Sequence, residues 1–475
     1  MWRGIHHIST DRRRPVRAQE PQPAPPGTGT VAGMHTTAST PAPQDPHPPA
    51  RWRSSSPAAE RTVRELLVDP TFGRYFAGNL ISNCGNWIQN VAAATAVFSL
   101  TRSATLTGVV SGALWLGSLV LQPYAGVISD RVDRRRMLMA GQVLSCVAAA
   151  VLAVWTLLVG LENLPGPWPI IVATVVIGIG NAFSTPAMQA LVPALVPPAD
   201  LEQAIALSSV TFTLGRAVGP TLAAGILLLG GPTAGFVVNV LTYVPLIVVL
   251  LVIRQREVER SGDGEGSIRE VVRLVRRDRR LAILLLATMA IGWTSDPINT
   301  LTPPMASMFG AGDALVGVFV GCFGGGAVLG GMVLRPIRVR LGLDRLGVVG
   351  LMGFGTGIVL FGVSPAPWLA ALALACAGFS FLGAITSVTT RMQQGIAEDV
   401  RGRVMGLWGM AFLGSRPLAA LVNGGVADVA GPRLATVLAA VMALVGAVVL
   451  SRAPRVDTDT ARAPTLERAG GAPNH

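Results

Sequence analysis

The sequence has no lysine and few charged residues of any kind. All 38 basic residues are Arg, and charged residues make up 13% of the 475 positions, whereas a soluble globular protein has about 25%. The avoidance of lysine, together with abundant Ala, Gly and Arg, indicates a GC-rich bacterial genome. The shortage of charge argues against a soluble protein and favours a membrane protein.

Chemically reactive clusters are also scarce. The four cysteines lie singly inside apolar segments, without the spacing of a zinc site or a disulfide framework. The sequence has no Gly-rich loop ending in GK[ST], which argues against ATP as the energy source. No His motif for metal, acidic cluster or nucleophile constellation falls within the apolar segments. We therefore expect no enzymatic activity, no metal and no bound cofactor.

What the sequence does contain is a series of apolar stretches, each long enough to cross a bilayer. About 20 apolar residues span roughly 30 Å of hydrocarbon as a helix. The predicted fold is therefore an all-α polytopic membrane protein with twelve transmembrane helices. The predicted spans are 75–100, 106–129, 137–160, 168–192, 203–229, 233–253, 281–304, 314–336, 346–364, 368–390, 404–427 and 432–451.

The arginines lie unevenly between these spans and orient the chain. The odd-numbered loops hold only Arg102 and Arg433, whereas segment 254–280 alone holds nine arginines. Because cytoplasmic loops are enriched in positive charge, both termini and all even-numbered loops are predicted to be cytoplasmic, in a bacterial cell membrane. This distribution accounts for the net charge of +12 without a nucleic-acid partner.

Composition and internal similarity divide the chain into two halves. We predict disordered Pro-rich or polar tails, two pseudo-symmetric six-helix bundles and a linker whose amphipathic helix lies on the anionic inner leaflet. The similarity is carried by paired stretches before spans one and seven and by a mid-span arginine in spans five and eleven. Two related six-helix halves are typical of secondary transporters. The predicted boundaries are 1–58 for the first tail, 59–253 for the first bundle, 254–280 for the linker, 281–452 for the second bundle and 453–475 for the last tail.

The run GVISDRVDRRRM, from Gly126 to Met137, places six charged residues between spans two and three. It resembles the G-x-x-x-D-R-x-G-R-R motif of the major facilitator superfamily, with Asp133 in place of the second glycine. We predict a conformational latch in which Asp130, braced by Arg134 or Arg131, faces the positive N-terminal end of span eleven. The alternative is a solvated loop whose arginines only set topology. The predicted latch residues are Gly126, Asp130, Arg131, Arg134, Arg135, Gly402 and Arg403.

A second motif lies in span five, where GRAVGPTLAAG resembles the G-x-x-x-G-P-x-x-G-G motif of the exporter branch. Its residues here are Gly215, Arg216, Gly219 and Pro220. The resemblance implies a kinked or tightly packed hinge at the bundle interface, and ordinary small-residue packing is the alternative. Stretches in spans one and four and before span eleven resemble the drug and siderophore efflux branch that includes the enterobactin exporter family.

Ionisable groups inside the membrane are costly, so each is a functional hypothesis. Asp296 in span seven is the clearest intramembrane carboxylate, and many relatives carry an acidic residue in span one where this chain has Asn86. We therefore expect Asp296 to carry a proton or contact a cationic substrate; the alternative is a structural partner of Arg216 or Arg416. The proton or substrate candidates are Asp296, Arg216, Arg416, Asn86, Trp87, Asn90 and Asn181.

These features predict a monomeric secondary transporter that exports small amphiphilic molecules, such as drugs or siderophores, by alternating access in exchange for protons. The proton motive force supplies the energy. Two alternatives share some of the same features: an importer or facilitator of a metabolite on the same fold, and a non-transporting membrane sensor or enzyme. Direction of flux separates the first alternative from export.

Overall fold

In the computed structural model, the described residues are 61–253, 275, 278–310, 312–394 and 398–454, and within them the regular structure is helical throughout. The predicted tail 1–58, the helix of the linker 254–280 and nearly all of the tail 453–475 lie outside this part. The helices are α1 (Val63–Val68), α2 (Phe72–Thr101), α3 (Ala104–Arg131), α4 (Arg134–Val159), α5 (Trp168–Leu195), α6 (Leu201–Val252), α7 (Arg279–Thr294), α8 (Pro297–Thr300), α9 (Thr302–Met308), α10 (Asp313–Val363), α11 (Pro367–Gln393), α12 (Glu398–Ala430) and α13 (Pro432–Ser451).

Nine helices of the described part are long and apolar enough to cross a membrane. Large apolar side chains such as Leu158, Leu229 and Val429 are exposed on the outside of the structure. An apolar exterior of this extent suits a chain surrounded by lipid rather than water. The prediction of an all-helical, multi-pass membrane protein is therefore confirmed.

Two of the helices change direction at glycine. Helix α6 has 52 residues and departs from helical angles at Gly230 and at Gly231, where φ is 62°. Helix α10 has 51 residues and does the same at Gly342, where φ is 74°. Positive φ is readily adopted by glycine and disfavoured for other residues. Both departures fall between predicted spans, five and six in α6 and eight and nine in α10.

The region of predicted span seven is broken into three helices. Helix α7 ends before Ser295, which is its C-cap, and Asp296 is the N-cap of the short helix α8. Another change of angle at Leu301 separates α8 from α9. A broken helix leaves backbone groups outside the regular hydrogen-bond ladder, which is tolerated at membrane depth where protein surrounds it. Ser295, Asp296 and Leu301 are all buried.

Two ion pairs of Arg61, here called the Arg61 clasp, join the residues before α2 to the start of α6. Arg61 contacts Asp69 at 2.9 Å and the buried Asp200 at 3.3 Å. Burial acts to raise the pKa of Asp69. Backbone hydrogen bonds from Phe72 and Thr71, together with the Arg61 guanidinium, nevertheless hold it below its usual value. The clasp fixes the approach to α2.

Candidate functional site

A carboxylate and a guanidinium are buried where α2, α3, α7 and α12 meet. Asp296 and Arg416 are each only 3% exposed. Asp296 Oδ1 accepts a hydrogen bond from Thr300 Oγ at 2.9 Å, and Oδ2 accepts one from Asn423 Nδ2 at 2.8 Å. Both carboxylate oxygens therefore have a donor, one of them from α12.

Arg416 lies within a set of aromatic rings, here called the Arg416 cage. Its Cζ atom is 4.9 Å from the ring centroids of Trp115 and Phe412 and 5.6 Å from that of Trp87. Arginine over an aromatic face gains about 0.5–2 kcal/mol. Arg416 Nη2 also donates to Ser295 Oγ at 2.9 Å. The cage thus brings together residues of α2, α3 and α12, and its hydrogen bond reaches the neighbour of Asp296.

The two buried charges are close in the fold without forming a direct pair. The ion pairs found in the described residues lie elsewhere, at Arg61 and at Arg391. Asp296 uses its oxygens on Thr300 and Asn423, and Arg416 uses one nitrogen on Ser295. The side-chain contacts of Arg216, the other predicted partner, lie outside the described part.

The other predicted proton or substrate residues have different environments. Asn86 accepts a hydrogen bond from Tyr243 Oη at 2.7 Å and so joins α2 to α6. Trp87 belongs to the Arg416 cage, and Asn90 is buried one turn further along α2. Asn181 is half-buried in α5, where its backbone carbonyl accepts from Thr185. Of these residues, the structure brings Trp87 directly to Arg416.

The exporter-type motif packs against this part of α2. A Cβ placed on Gly215 would lie 2.8 Å from Asn83 Cβ, and one placed on Gly219 would lie 2.6 Å from Trp87 Cβ. Glycine is needed at both positions because any side chain would push α6 away from α2. Pro220 is buried beside them, while the departures of α6 from helical angles come later, at Gly230 and Gly231. The motif therefore sets how closely α6 approaches Trp87.

The charged run between spans two and three forms hydrogen bonds that join α4 to α5 and α6 at one end of the first half. Asp133 is the N-cap of α4 and accepts from the Arg136 backbone N–H at 3.0 Å, a role that explains an Asp where the superfamily motif has Gly. Arg134 Nη1 donates to the Ala190 carbonyl at 3.1 Å. Arg135 donates to the carbonyls of Leu250 and Leu251 at the end of α6. Cations at the carbonyl end of a helix complement its dipole.

The remaining latch residues lie at the facing helix ends. Gly126, Asp130 and Arg131 are in the last turns of α3, and Gly402 and Arg403 are in the first turns of α12. Their side-chain contacts fall outside the described part. Arg134, predicted to brace Asp130, makes its described hydrogen bond to α5.

Helices α3 and α12 touch at the opposite end, through a contact that sequence reasoning missed. Asp428 accepts from Ser103 Oγ at 2.8 Å and from the backbone N–H groups of Ala104 at 2.7 Å and Thr105 at 2.9 Å. Ser103 is the N-cap of α3 and accepts from the Leu106 backbone N–H; the Asp428 carboxylate, supplied by another helix, accepts from the neighbouring free N–H groups. We call this contact the Asp428 cap. The sequence features that could have predicted this contact are a Ser just before span two and an Asp at the end of span eleven.

Helices α3 and α12 are closely packed over the part of their length whose side chains are described. Cβ atoms placed on Gly424 and Gly108 would lie 2.5 Å and 2.2 Å from the carbonyl oxygens of Ala104 and Ala420. The α3 side chains near its other end, from Gly126 to Arg131, fall largely outside the described part. The two helices are therefore closed at the Asp428 cap and around Arg416.

A neighbouring pair of glycines tests this closure. Gly424→Ala is expected to push α12 from α3 at the Asp428 cap, at the cost of about 1–3 kcal/mol typical of overpacking. Spin labels at the exposed positions of Arg102 and Val429 would then report a longer distance, by several ångströms, in pulsed EPR. Labelling needs the four free cysteines replaced. Gly425→Ala is the control, because a Cβ there meets no described atom; equal distance distributions in both variants would contradict the close contact.

This fold is that of a known class of membrane transporter. The structure resembles that of a D-xylose-proton symporter with a TM-score of 0.67 at 12% identity, over 81% of this chain and 98% of the symporter. The likeness shows that the two proteins share a fold. Among the described residues, no group of three His, Cys, Asp or Glu side chains is placed to hold a metal ion.

The sequence then defines the branch. Residues 66–468 match the family described as transmembrane secretion effector, and the chain belongs to that family of major facilitator transporters. It is similar to macrolide efflux protein A of Streptococcus pyogenes, 25% identical over 75% of this chain and 89% of the relative. It is also similar to the staphyloferrin A transporter of Staphylococcus aureus, 25% identical over 75% and 89%. The enterobactin exporter of Salmonella paratyphi A is 26% identical over 77% and 88%. These relatives are efflux-type transporters, so the prediction of an efflux-branch transporter is confirmed.

Proposed function

We propose that this protein exports small amphiphilic molecules across the cytoplasmic membrane in exchange for protons. The observation that carries the proposal is the pair of buried charges, Asp296 and Arg416, at the contact of α3 with α12. Alternating access requires a central site between two parts that close at one end and open at the other. Asp296 and Arg416 lie at that boundary, and Asp296 is the carboxylate suited to take up and release a proton.

We further infer twelve spans in two six-helix bundles. Nine helices qualify as candidate spans on length and hydropathy, and α2, with 30 residues, has the length of a tenth. Helices of 52 and 51 residues would extend well beyond twice the thickness of a bilayer, at 1.5 Å per residue. Their departures at Gly231 and Gly342 divide each into two spans, which brings the total to twelve.

The arginine distribution gives the orientation. With both termini in the cytoplasm, the Asp428 cap lies on the outer side, and the end of α12 that carries Gly406 faces the cytoplasm. A closed outer side suits an exporter that collects its substrate from the cytoplasm. The proton motive force, rather than a bound cofactor, drives the cycle, and one chain is sufficient for it.

The relatives suggest what the cargo is. The names of the three similar proteins refer to macrolides, staphyloferrin A and enterobactin. We therefore expect a drug-like or siderophore-like molecule with both apolar and polar parts. Trp87 and Trp115 offer apolar surface for such a molecule, and the buried polar groups beside them offer hydrogen bonds.

Inverted membrane vesicles from an efflux-deficient host test export directly. Energised inverted vesicles that contain the protein should accumulate radiolabelled erythromycin or a radiolabelled siderophore above control vesicles without it. A protonophore should abolish the accumulation. If labelled compound instead accumulates in right-side-out vesicles, the protein is an importer. Accumulation that a protonophore leaves intact would refute proton coupling.

A further inference from the structure

Arg416 is a buried cation with too few acceptors. Its guanidinium carries five N–H donors and is permanently charged, and the residue is 3% exposed. Nη2 donates to Ser295, whereas Nε and Nη1 have no hydrogen-bond partner among the described residues. A buried charged donor without an acceptor costs more than the usual 1–3 kcal/mol for an unsatisfied polar group. Without a bound molecule, the protein therefore carries the free-energy cost of these unsatisfied Arg416 donors.

The aromatic cage does not remove that cost. Ring faces attract the guanidinium as a whole, but they offer no lone pairs in the plane of the N–H groups, where hydrogen bonds form. Trp115 and Phe412, each 4.9 Å from Arg416 Cζ, give the guanidinium apolar surroundings. Apolar surroundings strengthen any interaction with an anion that does arrive.

Other buried polar atoms without hydrogen-bond partners lie on the helices that form the cage. Asn90 Nδ2, one turn from Trp87, and Ser111 Oγ, one turn from Trp115, are buried without a hydrogen-bond partner among the described residues. By contrast, Asp296 has a donor on each of its two oxygens. The unmet capacity at this centre therefore consists of amide and guanidinium donors, positive charge and one hydroxyl that can donate or accept, while the carboxylate is already engaged.

We propose that Arg416 is the receptor for an anionic group of the transported molecule, which makes the cargo an amphiphilic organic anion. A carboxylate, or a similar group with at least two oxygens, accepts from Nε and Nη1, and the apolar body lies against the tryptophans of the cage. The inference rests on the proposed transport function and names the substrate class of that site. Water that satisfies Nε and Nη1 would give no preference for an anion and is one outcome of the test.

Three probes of equal size test the charge preference: 2-naphthoate, 2-naphthamide and 2-naphthylmethylammonium. Each is measured by equilibrium dialysis at pH 8 against the full-length protein in nanodiscs, with empty nanodiscs subtracted. Charge-assisted hydrogen bonds are worth about 1.5–3 kcal/mol, so we expect 2-naphthoate to bind at least about tenfold more tightly than the amide. The ammonium probe should bind most weakly. Equal affinities, or tightest binding of the ammonium, would overturn the proposal without the need for any variant.

Variants then locate the preference. Arg416→Gln should bring 2-naphthoate and 2-naphthamide to within a factor of two or so of each other, on the order of experimental error in such ratios. Arg416→Lys keeps the charge with fewer donors and should retain part of the preference. Arg340→Gln removes one exposed arginine of α10 and should leave the preference of the wild type intact. A preference that survives in Arg416→Gln would place the anion receptor elsewhere and overturn the assignment.

Vesicle flux separates this inference from the proposed function. If the wild type prefers 2-naphthoate but shows no proton-driven accumulation of any compound, the anion receptor stands and the export proposal fails. If proton-driven export is found without an anion preference in binding, export stands and the anion receptor fails.

Discussion

Asp296→Asn is expected to abolish transport driven by a pH gradient while the protein remains folded. Asn has nearly the same shape as Asp and still offers an oxygen to Thr300 or Asn423, which now donate to the carboxylate at 2.9 Å and 2.8 Å. Its amide does not titrate, so it cannot take up a proton on one side and release it on the other. Energised inverted vesicles should therefore accumulate substrate only to the level of vesicles without the protein.

Substrate-exchange measurements distinguish a variant that has lost proton coupling from one that no longer folds or transports. Equilibrium exchange of labelled for unlabelled substrate needs the conformational change and not the gradient, so Asp296→Asn should retain it. Glu162→Gln, which neutralises an exposed carboxylate between α4 and α5, serves as the control and should keep full pH-driven transport. Unchanged coupling in Asp296→Asn would rule out this carboxylate as the proton carrier.

Asp130→Asn is expected to reduce transport to background, for a conformational reason. Asp130 lies at the end of α3 and is predicted to face the first turn of α12 when the proposed cytoplasmic side closes. A carboxylate at a helix N-terminus contributes about 0.3–2 kcal/mol, and about 1–2 kcal/mol changes a two-state population by a factor of about 5–30. The variant should accumulate in the inward-facing conformation, because the opposite one loses its stabilising contact.

The same loop supplies a matched control for this prediction. Asp133 lies three positions away and caps α4 through the Arg136 N–H, and Asn is as good an N-cap as Asp. Asp133→Asn should therefore keep most of the transport activity. Flux in inverted vesicles gives the activities, and surface expression verifies that both variants reach the membrane. Full activity of Asp130→Asn, or an equal loss in both variants, would remove the case for the latch.

The spans were predictable because they depend on local properties of the chain. A run of about 20 apolar residues has to form a helix in lipid, whatever its neighbours are. Asp296 and Arg416 stand out for the same reason, since an ionisable residue inside such a run is costly. Even the changes of direction in α6 and α10 coincide with glycines that separate predicted spans.

Pairings between distant helices were not predictable in this way. Asn86 was predicted as a proton or substrate candidate, and nothing in the sequence indicated its hydrogen bond with Tyr243, which is 157 positions away. The Asp428 cap joins residues more than 320 positions apart. Helical periodicity shows which residues share a face, but not which helix that face meets. Partners of this kind require the packed structure.

The Asp428 cap has a consequence for the energetics of the cycle. Helix α12 provides the acid that completes the first turn of α3, and α3 carries at its far end the acid predicted to complete the first turn of α12. With the predicted latch, each tilt of this helix pair would break one cap and make a similar one. Because each cap is worth only about 1 kcal/mol, the two positions would be nearly balanced, and one proton or one bound molecule would be enough to shift the pair.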